Sequence, residues 1–194
     1  HHMEDAGICA AHLEDQQNPK RCGHLDNKNI VPVEEMTRKV KAAADARRDE
    51  NFIIIARTDA KASEGIKAAI DRAKAYIDAG ADMIFPEALW NQDEFEQFRK
   101  AVDVPLLANM TEFGKTELLS KKQLSDLGYN VVIYPVTTLR IAMGAVDRGL
   151  NTIKETGSQK AEVDTMQTRQ ELYDLLEYEK YNHFDKDIFN FTLP

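Results

Sequence analysis

An α/β fold of the (β/α)8 TIM-barrel type, shortened to its last five strand–helix units and followed by carboxyl-terminal helices, is what this 194-residue sequence predicts. Three observations lead there. Short, nearly continuous apolar runs alternate with amphipathic stretches, the pattern of a parallel sheet covered by helices. Polar residues gather at the end of every run, where a (β/α) barrel keeps its active site. A closed barrel takes eight units and about 250 residues, more than this chain supplies.

The elements follow in order. Glu4-Asp5-Ala6-Gly7 reads as the last turn of a helix, because Ile77-Asp78-Ala79-Gly80 stands in the same way before a later apolar run. Strands are expected over 8–13, 52–56, 83–85, 106–110 and 131–134. They end in Glu14-Asp15, Arg57-Thr58-Asp59, Glu87, Asn109-Met110-Thr111-Glu112 and Pro135-Val136-Thr137-Thr138. Helices are expected over 33–47, 63–79, 92–102, 121–127 and 138–155, with Ser63 and Ser120 as caps and Gly80 and Gly128 as stops. A helical tail is expected over 164–181. The resulting organisation is a partial (β/α) barrel over 4–158 and a tail over 159–194 that packs on a neighbouring subunit. An open five-stranded sheet leaves edges that favour self-association.

Composition narrows the partners. Lys and Arg number 25 against 33 Asp and Glu, a net charge of −8 with no basic stripe. Nucleic acid and anionic membrane surfaces are therefore not expected partners. No apolar run approaches membrane-spanning length. The two cysteines form no disulfide framework, which fits a reducing, cytoplasmic setting. His1-His2 resemble the remnant of a purification tag.

Chemistry concentrates at Lys20-Arg21-Cys22-Gly23-His24. Neighbouring cations and imidazole favour thiolate over thiol, and Gly23 lets a ligand approach the backbone. Such a thiol suits a catalytic acid or nucleophile, the alternative being a loop cysteine among surface charges. Period-2 counting places Arg57 with Asp59, His12 with Glu14, and Asn109 with Thr111 on common faces. Cys9 and His12 are three apart in a strand and face opposite sides, so they cannot share a zinc ion. Cys9 is expected in the core and His12 as an inward, hydrogen-bonded residue or a substrate contact. Glu112 suits either the orientation of Arg57 or His24 or the capping of the next helix.

The cysteine motif resembles the lyase signature of the isocitrate lyase/phosphoenolpyruvate mutase superfamily. Supporting it are His12-Leu13-Glu14-Asp15-Gln16, Ala56-Arg57-Thr58-Asp59-Ala60, Phe85-Pro86-Glu87-Ala88 and Asn109-Met110-Thr111-Glu112-Phe113-Gly114. Asp164-Thr165-Met166-Gln167-Thr168-Arg169, followed by Glu171-Leu172-Tyr173, is similar to the methylisocitrate lyase branch. From about Glu4 the chain looks like the carboxyl-terminal two-thirds of such an enzyme. The resemblance implies Mg²⁺-dependent cleavage of 2-methylisocitrate, a small tricarboxylate, to pyruvate and succinate, with Cys22 as the general acid. It implies catalytic roles for Lys20, His24 and Arg57. Substrate binding falls by the same resemblance to Cys22, Gly23, Arg57, Glu87, Asn109, Met110, Thr111, Arg140 and Arg169. Glu14 and Glu87 match carboxylates that surround the metal, mostly through water. The aspartates that bind it directly lie on an earlier strand in the family, so this chain by itself is expected to be inactive. A homo-oligomer with exchanged carboxyl-terminal helices is also implied. Related lyases for dimethylmalate or isocitrate, and a non-catalytic fragment, remain the alternatives.

Overall fold

A computed structural model describes residues 1–21 and 29–189. The chain forms two compact units, His1–Thr138 and Leu139–Pro194. The first begins with a short helix, α1 (His2–Asp5), that stops at Gly7, where φ is 75°. Strand–helix pairs follow: β1 (Ala10–Glu14) and α2 (Val33–Ala46), β2 (Ile53–Thr58) and α3 (Lys61–Asp78), β3 (Met83–Pro86) and α4 (Gln92–Ala101), β4 (Leu107–Asn109) and α5 (Lys121–Asp126). A last strand, β5 (Val131–Ile133), leads into α6 (Thr137–Thr156). All five strands expected from the apolar runs are present.

The strands are parallel and neighbours in sequence are neighbours in space. β1 pairs with β2 and β2 with β3, while β4 pairs with β5. A parallel bridge from Ile84 to Leu106 links β3 to the start of β4. Alternation along β2 sorts its side chains. Ile54 and Ala56 enter the larger core beneath the helices, while Ile53 and Ile55 pack with Met83, Phe85, Leu107 and Ile133 on the other face. Both faces are apolar, which is why the strands read as continuous runs rather than as alternations. The helices supply the rest of the core at helical spacing: Met36 and Val40 from α2, Ala69, Ala73 and Tyr76 from α3, Phe95 and Phe98 from α4.

Caps explain the helix limits. Ser120 and Gln123 form a reciprocal capping box on α5. Gly80 follows α3 with φ 108°, and a Cβ there would lie 2.8 Å from the Cβ of Ala44, so only glycine lets α2 and α3 approach this closely. Ser63 does not cap as expected. α3 already begins at Lys61 and is broken at Gly65 (φ 84°), because the turn straight after β2 is helical.

The second unit is helical. After α6 come a 3₁₀ turn (Lys160–Thr165), α7 (Arg169–Leu175) and α8 (Tyr178–Phe189). The expected single tail helix is thus two helices. A Thr168–Glu171 capping box starts α7, and Glu177, at φ 52°, turns the chain before α8. Tyr173 and Tyr178 stack across that turn, with ring centroids 4.5 Å apart.

Candidate active site

Because the strands run parallel, their carboxyl ends collect on one side, and register decides which residues meet there. Glu14 lies opposite Arg57, and Arg57 opposite Phe85. Arg57 becomes the centre. Its Nε and Nη2 donate to the two carboxylate oxygens of Asp59 at 2.8 and 3.2 Å. Nη1 stands 3.1 Å from Glu87 and Nε 3.4 Å from Glu14. The Phe85 ring lies under the guanidinium at 4.9 Å. Arg57 is 8% exposed, Asp59 0% and Glu87 1%, so these charges interact in a largely dry setting. Burial alone would lower the Arg57 pKa, but its hydrogen bonds to Asp59 and the charges of Glu87, Asp59 and Glu14 outweigh it and raise it.

The polar chain extends to both sides. Lys20 donates to Glu14 at 3.0 Å. The Asn109 amide donates to Glu87 at 3.3 Å, and the Thr111 hydroxyl donates to Asn109 at 2.8 Å. Just after Glu87, Ala88 sits at φ 56° and donates its backbone N–H to the Glu87 carboxylate at 3.0 Å. A non-glycine residue in that region is uncommon and strained, a property that clusters at functional sites. Glu112 accepts the Thr137 hydroxyl. Met110 is buried and donates its N–H to the Ile133 carbonyl at 3.0 Å.

A second layer braces the first. Asp15, fully buried, accepts from Thr58 Oγ1 and the Asp59 N–H at 2.8 Å each and from the Tyr76 hydroxyl at 2.9 Å. Arg72 stands 3.6 Å from it, held by Glu64 and by the Val31 carbonyl. Burial pushes the Asp15 carboxyl above its ordinary value of 3.8, against the pull of those donors. The unfolded chain then releases this proton at lower pH than the folded one, so stability falls as pH rises from 3.8 to the raised folded value. The stability advantage of wild type over Asp15→Asn, measured by urea melts at stepped pH, is expected to shrink across that window. An advantage that widens with pH would contradict it.

The structure thus brings together Glu14, Lys20, Arg57, Glu87, Asn109 and Thr111 from the predicted set. Cys22, Gly23 and His24 lie outside the described residues. Arg140 belongs to α6 and Arg169 starts α7, both in the second unit. One expectation fails: Cys9 is exposed rather than in the core. His12 shares the face of Phe85, with its ring edge-on at 6.2 Å, and is exposed. Sequence reasoning noted Asp59 only for its shared face with Arg57 and gave no role to Tyr76 or Arg72. No local pattern marks two helix residues that meet a strand end so distant in sequence.

The donors near Arg57 are hard oxygens of the kind Mg²⁺ takes. Their number falls short: among the described residues no group of three His, Cys, Asp or Glu side chains is placed to hold a metal ion. Glu14 and Glu87 both lean on Arg57, so they do not by themselves make a complete cation site.

Known proteins resemble this chain over most of its length. The family model for phosphoenolpyruvate phosphomutase matches residues 1–154. A probable 2-methylisocitrate lyase 2 of Corynebacterium glutamicum is 61% identical over 190 residues, covering 98% of this chain and 62% of that protein. The 2-methylisocitrate lyase of Bacillus subtilis is 52% identical over 192 residues, covering 99% and 63%. Among solved structures, a 2,3-dimethylmalate lyase matches with a TM-score of 0.85 at 29% identity, covering 99% of this chain and 65% of its own. A phosphonopyruvate hydrolase in complex with oxalate and Mg²⁺ matches at 0.78 and 30% identity, covering 94% and 64%. The chain therefore spans just under two thirds of the length of these relatives. With parallel strands, polar residues at their carboxyl ends and a family match over most of its length, the chain belongs to the phosphoenolpyruvate phosphomutase family.

Proposed function

We propose that the chain carries the carboxyl-terminal part of a 2-methylisocitrate lyase, and that its five parallel strands are part of a (β/α)8 barrel. One observation carries the reading: a continuous polar chain, from Lys20 through Glu14, Arg57 and Glu87 to Asn109 and Thr111, crosses the ends of four neighbouring strands. Identity of 61% to a protein named as such a lyase supports the substrate.

In the proposed reaction a base removes the substrate hydroxyl proton, the oxygen becomes the keto group of pyruvate, and the neighbouring carbon–carbon bond breaks. The electron pair passes into the succinate half as an enolate-like dianion. The Cys22 thiol protonates its carbon, releasing succinate. Lys20, Arg21 and His24 stabilise the developing negative charge. Arg57 faces the keto-acid end while holding Asp59, Glu14 and Glu87 in place. Asn109 and Thr111 offer an amide and a hydroxyl to the succinate end, with Met110 as the apolar residue between them and Gly23 giving backbone access. Arg140 and Arg169 are assigned to substrate carboxylates, for which a planar guanidinium is suited. Mg²⁺, as cofactor, would supply positive charge at the hydroxy-acid end, with Glu14 and Glu87 facing its water ligands and other oxygen groups completing the sphere.

The second unit supports a homo-oligomer. Leu139, Met143, Val146, Leu150 and Ile153 of α6 are all exposed large apolar residues, a stripe at helical spacing that a neighbouring subunit would cover. No described helix is long and apolar enough to cross a membrane.

Product analysis tests the proposal. A version extended to the length of the relatives, supplied with 2-methylisocitrate and Mg²⁺, is expected to release pyruvate and succinate in equal amounts. Failure to form either product would sink the reading.

A further inference from the structure

We infer that Gln16 is a positioning residue that anchors the backbone of Lys20-Arg21. The Gln16 side chain is 6% exposed and makes a reciprocal pair with one residue: its Nε2 donates to the Arg21 carbonyl at 2.9 Å, and its Oε1 accepts from the Arg21 N–H at 2.9 Å. A carboxamide is the side chain that offers a donor and an acceptor side by side, as a peptide group does, so Gln16 acts here as a stand-in β-strand partner. Its own position is fixed from both directions. Its backbone is bridged to Ile30, and Gln17 donates to the Asn29 carbonyl at 2.9 Å. The preceding residue, Asp15, is held by Thr58, Asp59 and Tyr76, and its carbonyl accepts from the Val31 N–H at 2.7 Å. The anchor therefore ties Arg21 to the same rigid strand ends that carry Arg57. Lys20 is held on the same side by Glu14. The inference rests on the lyase reading of the motif, since it is the cations leading into Cys22 that are being placed.

Two substitutions separate the two bonds. Gln16→Met keeps the length and removes both. Gln16→Glu keeps an acceptor for the Arg21 N–H but, when ionised, sets a negative oxygen against the Arg21 carbonyl; protonation restores a donor there. Amide hydrogen exchange at Arg21, corrected for the intrinsic pH dependence, reads the anchor directly in the 194-residue chain. Gln16→Met is expected to speed exchange about tenfold, the weight of a part-buried bonded pair, with the global melt close to wild type. Gln16→Glu, whose carboxyl oxygen still accepts the Arg21 N–H, is expected to keep more protection than Gln16→Met. Unchanged exchange in Gln16→Met, or exchange in Gln16→Glu as fast as in Gln16→Met, would overturn the anchor. Alkylation of Cys22 against pH, in a Cys9→Ser background, keeps the two readings apart. An ordinary thiol profile in wild type, alongside fast exchange in Gln16→Met, would count against the lyase reading and leave the anchor supported.

Discussion

Arg57→Leu is expected to cost about 3–5 kcal/mol of stability, the range found when one partner of a buried charge group is removed. The reason is arithmetic of charge rather than loss of contacts. Asp59 and Glu87 are almost wholly buried, Glu14 is close by, and Arg57 is the cation all three share. Lysine keeps the charge but not the planar fork that grips Asp59 with two hydrogen bonds while reaching Glu87, so Arg57→Lys should fall between wild type and leucine. Acid should partly rescue Arg57→Leu, because protonating Asp59 or Glu87 lowers the negative charge that Arg57 offset. Urea melts at neutral and mildly acid pH read both effects. A loss below about 1 kcal/mol, the worth of a surface ion pair, would show that the cluster is screened by water.

Cys22→Ser is expected to cut lyase turnover at least about a hundredfold in the complete enzyme, the weight of a positioned acid. A serine hydroxyl is similar in size but far weaker as an acid near neutral pH. Substrate KM should change little, because the thiol acts on the carbanion that forms as the bond breaks and not on the bound ground state. Steady-state kinetics with pyruvate detection separate the two parameters. Turnover close to wild type would assign the proton to another group, and a loss confined to KM would make the thiol a binding group.

Much of this was legible in the sequence, for physical reasons that also explain the gaps. Parallel strands covered on both faces must be apolar throughout, so 52–56 and 83–85 stood out and became β2 and β3. Polar residues directly after such runs share one end of the sheet, and the two-residue period correctly paired Arg57 with Asp59 and Asn109 with Thr111. What period and position do not encode is convergence from separate strands. Nothing in the order of residues says that Glu14, Asp59 and Glu87 share one guanidinium, so Arg57 read as a catalytic and substrate-binding residue and not as the hub of that cluster. Gln16 entered only as the end of the His12–Gln16 segment, without a role, since a loop glutamine matters through the backbone that folds back onto it. Ser63 misled because Ser before a helical pattern is a good cap only when the helix starts there; the turn at Lys61 pre-empted it. The capping box at Thr168 was readable and marks the true start of α7, whereas the reversal at Glu177 uses a backbone conformation that its side chain does not advertise.

The ratio of kcat/KM for 2-methylisocitrate to that for isocitrate, measured in the complete enzyme with 2,3-dimethylmalate as a third substrate, tests the central claim most directly. The account predicts that 2-methylisocitrate is preferred over isocitrate by about tenfold or more, the discrimination one methyl group provides in an apolar pocket. A higher kcat/KM for isocitrate or for 2,3-dimethylmalate would contradict it.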